Sequence, residues 1–414
     1  MVMDKRQERG LVSALTGLRA IAAYFVVVFH YGSTFANSVG VPWPIGKILS
    51  NGYLGVSFFF VLSGFILAYN YRSPLTTWSA KKAFFLARFA RIYPVYILAL
   101  LASFSIGSRY VESVSMGAIP QFVLLQAWVP YTASIQYWNT PAWTLSVEAL
   151  FYISFPLALA LAASASDKKL GIAVCLLASI IVIGQTPAHS FERSAPAGLG
   201  WVPLPLLRLP EFLLGVSLGV LCTRGRLQSL GRAPVLPAIT FATLGCLAVL
   251  PNGTVPGPFG VLMGLLIASV FWSAESRIRR LLSTRLVVLL GGASYSLYLL
   301  QEPAHDLFTS VFDGRTKLTV IAYYPMVTLL SIATFVVVEE PAREMIRRFF
   351  GMRSSAGAEI MQRIAIAGPE MDRLEMDAQR RGGAPQAGGA AVVARPDQER
   401  FGVSREPPHG PPAG

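Results

Sequence analysis

The feature that most constrains this chain is a series of roughly ten apolar stretches of about 20 residues, separated by short polar or Pro/Gly-rich breaks. Hydrophobic residues make up 53% of the sequence and charged residues only 14%, which is too apolar for an ordinary soluble domain. We therefore predict an all-α fold, a polytopic transmembrane helical bundle of about ten spans. The predicted spans are 17–36, 51–71, 89–107, 143–164, 170–186, 207–223, 235–250, 257–274, 286–305 and 320–339.

The positions of basic residues predict the topology of this bundle. One further apolar run, 116–129, is only about 14 residues long, which favours a re-entrant or interfacial segment over a crossing. If it does not cross, all basic clusters fall on one side with both termini, and the positive-inside rule makes that side cytoplasmic. The clusters are Arg72, Lys81, Lys82 and Arg88; Lys168 and Lys169; Arg224, Arg226 and Arg232; Arg277, Arg279, Arg280 and Arg285; and Arg343, Arg347 and Arg348.

Three regions follow from this pattern. Residues 1–12 are a predicted cytoplasmic N-terminus; they resemble the start of a signal peptide, but the span that follows is predicted to be retained. Residues 13–350 form the predicted transmembrane domain. From about residue 354 the apolar runs give way to Ala, Gly, Pro and mixed charge, so 354–414 is predicted to be a disordered cytoplasmic tail.

Charge and cysteine content exclude two classes of partner. The net charge of +13 could indicate nucleic acid, but Lys and Arg lie in short clusters between apolar runs and not along one polar face. We interpret that charge as topology and predict no nucleic-acid partner. Cys175, Cys222 and Cys246 lie inside apolar stretches without metal-ligand spacing, so no metal is predicted.

Arg19 and His30 are ionisable residues in the first span, where such side chains are costly and often functional. They are eleven positions apart, which at 100° per residue places them within about 20° of the same helix face. His30 then lies roughly 16 Å beyond Arg19, towards the outer side, an arrangement that suits a long ligand. Alternatively, Arg19 snorkels to the interface and His30 is a satisfied core histidine.

Two further arginines lie at the cytoplasmic mouth of the third predicted span. Arg88 and Arg91 are three positions apart, hence on one helical face and close enough to bind neighbouring phosphates. An anionic ligand would fit this spacing. The alternative is a positive-inside cluster with no ligand.

Glu148 is the candidate partner of His30. Its helix enters from the outer side, which places Glu148 at a depth similar to that of His30. A carboxylate and an imidazole at one level can act as an acid and base pair, with the carboxylate orienting the ring. Alternatively, Glu148 is neutral or bonded to nearby hydroxyls. Trp143, a turn earlier, is either a substrate platform or an interfacial belt residue.

Several polar residues near the predicted outer face could line a vestibule for an acceptor that carries hydroxyl groups. They could equally be ordinary interfacial residues. These candidates are Gln301, Glu302 and His305 in one helix, and Arg208 and Glu211 in another; Tyr298, in the first of these helices, lies deeper, at a level similar to that of Glu148.

Seven motifs occur in order between about residues 12 and 345: LTGLRAIAAYFVVVFH, GVSFFFVLSGFI, RFARIYPVY, WTLSVEALFYISFP, RLPEFLLGVSLG, SYSLYLLQEP and VVEEPARE. In this order they resemble acyltransferase family 3, integral membrane enzymes that include O-antigen and exopolysaccharide O-acetylases, nodulation-factor acylases and some antibiotic acyltransferases. The resemblance implies a ten-helix domain that takes acyl-CoA from the cytoplasm. Many members have Tyr-Leu-x-His-x-Pro in the penultimate span. This chain has Gln301 at the His position, with His305 one turn later as a possible substitute.

The resemblance also implies roles for single residues. Arg19 and His30 match the family's essential Arg and His, Arg88 and Arg91 match its paired arginines near the cofactor, and Glu148 falls on its Ser-x-Glu stretch.

The residues and the resemblance together predict an O-acyltransferase of the bacterial inner membrane. Acyl-CoA, with acetyl-CoA first among the candidates, would donate to a hydroxyl of an envelope polysaccharide, a glycolipid or a lipid-linked glycan. His30 would be the general base, oriented by Glu148, with an acyl-histidine intermediate as a variant. The alternatives are a proton-coupled exporter that uses the same two residues, and a scaffold of a polysaccharide-synthesis complex. The sequence indicates no oligomeric state.

Overall fold

The computed structural model describes residues 5–38, 40–106, 118–128, 138–185, 202–250, 257–273, 276–312 and 317–350. These ranges are all-helical and contain no strand, which confirms the predicted fold class. The predicted tail, 354–414, lies outside the described residues. The α-helices are α1 (Lys5–Ser38), α2 (Trp43–Ser50), α3 (Gly55–Asn70), α4 (Trp78–Ile106), α5 (Ala118–Phe122), α6 (Trp143–Ser164), α7 (Asp167–Gln185), α8 (Leu204–Thr223), α9 (Val235–Val249), α10 (Gly257–Trp272), α11 (Arg277–Leu282), α12 (Arg285–Gly292), α13 (Ser294–Val311), α14 (Lys317–Thr334) and α15 (Glu340–Phe349).

Six helical segments of the described chain are long and apolar enough to cross a membrane. They are Gly10–Gly32, Gly52–Asn70, Trp78–Ser105, Thr140–Ser164, Leu204–Thr223 and Leu318–Phe349. Helices α9 and α10 are apolar but shorter, and the predicted span 286–305 is divided between α12 and α13, which meet at Ala293. The chain is thus an integral membrane protein; ten spans and cytoplasmic termini stay predictions.

The described part of the apolar run 116–129, residues 118–128, does not form a long helix. It contains the five-residue helix α5 and a 3₁₀ turn, Gln126–Trp128; that the run does not cross the membrane stays a prediction. Side chains of α4 and α6 satisfy its backbone: Tyr96 donates to the Gln121 carbonyl at 2.5 Å, and Ser146 donates to the Leu124 carbonyl at 2.6 Å. Non-helical backbone in a membrane protein requires such internal partners.

Helices α3 and α8 cross at unusually close range because each carries a glycine at the contact. A Cβ on Gly64 would lie 2.1 Å from the carbonyl oxygen of Phe212, and a Cβ on Gly215 would lie 2.0 Å from that of Val61. Any larger residue at either position would push the helices apart. Small residues at such crossings allow the tight backbone packing that holds membrane helices together.

The final span is interrupted by a π-helical turn, Phe335–Glu339, between α14 and α15. A π turn adds one residue to the helical repeat and rotates the residues that follow it, and such turns often occur at functional sites. Here it places Glu339 in the protein interior, with only 2% of its surface exposed, beside α13 and α4.

Candidate functional site

A cavity of about 810 Å³, including its open part, lies between α1, α3, α4, α6 and α13. Much of its wall is apolar, supplied by Val, Ile, Leu and Phe side chains of α3, α4 and α6. The structure brings five of the sequence-predicted site residues together on this wall. They are Arg19, Arg88, Arg91, Glu148 and Tyr298.

Three arginines give the cavity an excess of positive charge. Arg19 extends from α1, and Arg88 and Arg91 extend from successive turns of α4. Arg88 lies over the ring of Phe84, 5.8 Å from its centroid, and its Nε has no hydrogen-bond partner among the described residues. Glu148 is the single acid among the described residues that line the wall. Because buried like charges repel, a bound anion would stabilise this arrangement.

Glu148 is held by hydroxyl groups and faces the arginines. Tyr152 donates to its Oε2 at 3.1 Å, and Ser63 Oγ lies 3.5 Å from Oε1. Arg91 is among its electrostatic neighbours. In the part of the chain that the structure describes, no hydrogen bond or ion pair joins Glu148 to His30. The expected pairing of these two residues is therefore absent, because the i,i+4 spacing to Tyr152 supplies a closer partner on the same helix.

A second carboxylate lies behind the arginines. Glu339 accepts a hydrogen bond from Ser296 at 2.8 Å and pairs with Arg343 at 2.7 Å. It is also an electrostatic neighbour of Arg19 and of Arg91. The π turn thus places a fixed negative charge where it offsets the repulsion between the arginines.

Five hydroxyl-bearing residues of the cavity were not among the residues predicted from sequence: Ser63, Thr144, Tyr152, Ser294 and Tyr295. The Tyr295 hydroxyl donates to the Ile92 carbonyl at 2.7 Å and so ties α13 to α4 next to Arg91. Helical spacing could have identified the two tyrosines, because Tyr152 is four residues after Glu148 and Tyr295 is three before Tyr298.

His30 does not line the 810 Å³ cavity. It lies further along α1, is exposed, and has the rings of Phe29 and Tyr31 as neighbours, with centroids at 5.0 Å and 6.0 Å. Its imidazole is therefore available to a ligand that reaches this end of α1.

The stretch of α1 between Arg19 and His30 is tightly packed. Ala23, Val26 and Val27 have at most 1% of their surface exposed. These residues lie on or next to the face that carries both predicted site residues. In this conformation they close the direct path along α1 between the two.

Arg208 and Glu211 are not on the cavity wall but form a buried ion pair at 3.0 Å. Only 4% of Arg208 and none of Glu211 is exposed. The Arg208 guanidinium lies 5.7 Å from the ring centroid of Phe60, which does line the cavity, and Nη1 approaches Ser57 Oγ at 3.5 Å. The pair therefore supports the wall from behind, and its assignment to an acceptor vestibule stays a prediction.

Trp143 and Gln301 also lie off the cavity wall. Trp143 packs edge-on against Phe60, with centroids 6.0 Å apart. Gln301 is fully buried and donates from its amide to the Tyr298 carbonyl at 2.9 Å. Their assignment as substrate contacts stays a prediction.

The described residues form a membrane-spanning helical protein with an internal cavity whose wall carries three arginines and one carboxylate. Within the described ranges, no group of three or more His, Cys, Asp or Glu side chains is placed to hold a metal ion.

Comparison with known proteins identifies the family. A model of the acyltransferase 3 family, described as an acyltransferase domain, matches residues 12–339. Acyltransferase MdmB of Streptomyces mycarofaciens is 30% identical over 301 residues, which cover 69% of this chain and 77% of MdmB. Exopolysaccharide production protein ExoZ of Rhizobium meliloti is 28% identical over 332 residues, 75% of this chain and 95% of ExoZ.

Peptidoglycan O-acetyltransferase OatA of Listeria monocytogenes is 26% identical over 173 residues, which cover 38% of this chain but only 25% of OatA. No solved structure matches the chain. The chain belongs to the acyltransferase 3 family and is an acyltransferase for groups other than aminoacyl groups.

Proposed function

We propose that this protein transfers a short acyl group, acetyl in the first instance, from cytoplasmic acyl-CoA to a hydroxyl of an envelope glycan in the bacterial inner membrane. The observation that carries the proposal is the cavity in which Arg19, Arg88 and Arg91 face a single lining carboxylate. CoA is the acyl carrier whose several phosphates match such a cluster, since guanidinium groups bind phosphate oxygens in pairs.

Donor binding follows from the positions of the arginines. Arg88 and Arg91, one turn apart on α4, would bind the CoA phosphates, and Arg19 would bind beside them from α1. Glu148, held by Tyr152, would orient Arg91. The apolar remainder of the wall would accept the pantetheine arm.

In this proposal His30 carries out the chemical step. Its imidazole would take the proton of the acceptor hydroxyl while the oxygen attacks the thioester carbonyl. A carbon–oxygen bond forms, the carbon–sulfur bond breaks, and the CoA thiolate leaves and takes up the proton from the imidazolium. Acylation of His30 itself is the variant, for which ping-pong kinetics would be the sign.

The closed path between the arginines and His30 adds a conformational step. Because Ala23, Val26 and Val27 are packed, the thioester end of the donor reaches His30 only after this part of the bundle opens. Opening of packed helices around a ligand is a common step in enzymes.

The acceptor class is supported by the names of two relatives. ExoZ is named for exopolysaccharide production, and OatA is named a peptidoglycan O-acetyltransferase. A glycan that presents hydroxyl groups on the outer side of the membrane would meet the exposed His30 from that side.

The proposal is tested with the full chain purified in detergent, radiolabelled acetyl-CoA and envelope extract. Wild-type protein should transfer label to glycan, and Arg88→Ala combined with Arg91→Ala should remove most transfer at low donor concentration. The exposed Arg348→Ala, which breaks only a surface pair with Glu344, is the matched control and should leave the rate unchanged. Absence of transfer by wild type, or equal loss in the control, would contradict the proposal. Mass spectrometry of envelope glycans from cells with and without the gene would then locate the ester.

A further inference from the structure

A second, smaller cavity lies at the His30 end of α1, between α1, α13 and α14. Its volume is about 240 Å³, including its open part, and we call it the aromatic pocket. Its principal lining residues are Tyr31, His305, Phe308, Tyr323, Thr309 and Thr319. It lies at the far end of α1 from Arg19, since twelve residues of helix extend about 18 Å.

The rings of the aromatic pocket are fixed by contact with one another. Tyr31 stacks on His305 with centroids 4.2 Å apart, and Tyr323 meets His305 edge-on at 5.4 Å. The Tyr323 hydroxyl donates to the Gln301 carbonyl at 2.7 Å. Ring walls that are already ordered lose little entropy when a ligand binds.

The pocket combines apolar walls with hydrogen-bond acceptors. The Thr309 hydroxyl donates to the His305 carbonyl at 2.9 Å and keeps its own lone pairs free to accept. The half-exposed carboxylate of Asp306 is an electrostatic neighbour of both Tyr31 and Tyr323. No Lys or Arg is among the described lining residues. Such a pocket favours a neutral ligand that carries hydroxyl donors, in contrast to the anion-attracting cavity at the other end of α1.

His30 is not among the lining residues, but it precedes Tyr31 in α1 and its ring centroid lies 6.0 Å from that of Tyr31. A cyclic ligand in the pocket would therefore bring a substituent of an adjacent ring position near the imidazole. We propose that the aromatic pocket is the acceptor subsite and binds one pyranose ring, with its apolar C–H face on the aromatic rings and a hydroxyl donating to Thr309 at the pocket wall. This inference rests on the proposed function, to which it adds the place where the acceptor is recognised.

The test measures the binding of simple glycosides to the protein in the absence of the acyl donor. Saturation-transfer difference NMR is recorded on the full chain in detergent with methyl glucoside, methyl galactoside and methyl N-acetylglucosaminide, in the absence of acyl-CoA. At least one of them should show saturation of its ring protons with wild type and with Tyr31→Phe. Tyr31→Ala should weaken that binding about tenfold because a ring wall is lost, and Thr309→Val should weaken it about threefold.

The matched control is Tyr24→Ala. Tyr24 is a half-buried tyrosine of the same helix whose hydroxyl contacts Thr328 and which is not among the pocket's lining residues, so glycoside binding should be unchanged. If Tyr31→Ala fails to fold, as judged by size exclusion, Thr309→Val decides. The proposal is overturned if no glycoside binds or if neither variant differs from the control. Decyl glucoside is recorded in the same way, and saturation of its alkyl chain without its sugar ring would also overturn the proposal. Since no donor is present, these outcomes are independent of whether acyl-CoA is the donor.

Discussion

The two ends of the Arg19–His30 stretch of α1 are built from opposite chemistry. Around Arg19 the protein buries guanidinium groups in a cavity of about 810 Å³, with the carboxylate of Glu148 on its wall and that of Glu339 behind the arginines. Around His30 it offers stacked rings, hydroxyls and a cavity of about 240 Å³ with no Lys or Arg among its described lining residues. A buried charge is stable only beside counter-charges. Buried aromatic rings, in contrast, are stabilised by their packing contacts alone. The first end is thus suited to a phosphorylated donor and the second to a neutral acceptor.

The difference predicts that the two ends can be inactivated separately. His30→Ala should lower the acyl-transfer rate by about 10²–10⁴-fold, the usual contribution of a general base. Its affinity for CoA should stay at the wild-type value because His30 lies off the arginine cavity. The two quantities are measured by label transfer and by isothermal titration with CoA. Weaker CoA binding by His30→Ala would show that His30 also contributes to donor binding, and that the two ends do not act separately.

The complementary change acts on the donor alone. Arg91→Ala should raise the KM for acyl-CoA about ten- to a hundredfold, because each charge-assisted hydrogen bond contributes about 1.5–3 kcal/mol. The KM for the acceptor should not change. Initial rates with each substrate varied in turn give both KM values. A rise confined to the acceptor KM would mean that Arg91 contacts the acceptor and not the donor.

The arginine end should also depend on its counter-charge for stability. Glu339→Gln removes the more buried of the two carboxylates that pair with Arg343 and leaves Glu340 as its remaining ionic partner, so we expect a loss of about 2 kcal/mol, measured as a lower Tm in detergent. Glu344→Gln removes a surface partner of Arg348, whose side chain is 79% exposed, and should cost under about 1 kcal/mol. Equal shifts for both would mean that Glu339 is an ordinary surface carboxylate.

The ion pairs of Asp167 with Arg224 and Arg226 lie outside both ends and should contribute least to the stability of the fold. Hydrogen bonds from Arg226 and Arg224 lower the pKa of the Asp167 carboxyl below its ordinary value, so the folded state favours the ionised form. This stabilisation is present above the unfolded-state pKa, about 4, and is lost as the pH falls through the lower folded-state value. The small Tm difference between wild type and Asp167→Asn should accordingly be constant from pH 7 to pH 5 and shrink below about pH 4. A difference that grows on acidification would contradict the assigned pKa direction.

The sequence was most informative where helical spacing alone decides the geometry. Arg88 and Arg91 share a helix face at any depth in the membrane, and with Arg19 they meet on one cavity wall as predicted. The short run 116–129 was likewise recognisable from its length.

The sequence was least informative where the register of one helix against another determines which side chains come into contact. Span ends are uncertain by several residues, so the depth of Glu148 could not be fixed to one turn, and its partner is Tyr152 instead of His30. Arg208 and Glu211 were expected near the surface, but at i,i+3 spacing they neutralise each other and can be buried. Glu339 reaches the interior through a π turn, for which the residue pattern gave no signal.

We propose that the donor reaches Arg19 and the acceptor reaches His30 from opposite sides of the membrane. Label transfer from radioactive acetyl-CoA, added outside, is compared in inverted and in right-side-out membrane vesicles of matched protein content. We expect transfer to glycan in inverted vesicles, strongly reduced by Arg91→Ala, and little transfer in right-side-out vesicles. Equal transfer in both, or transfer in right-side-out vesicles alone, would contradict it.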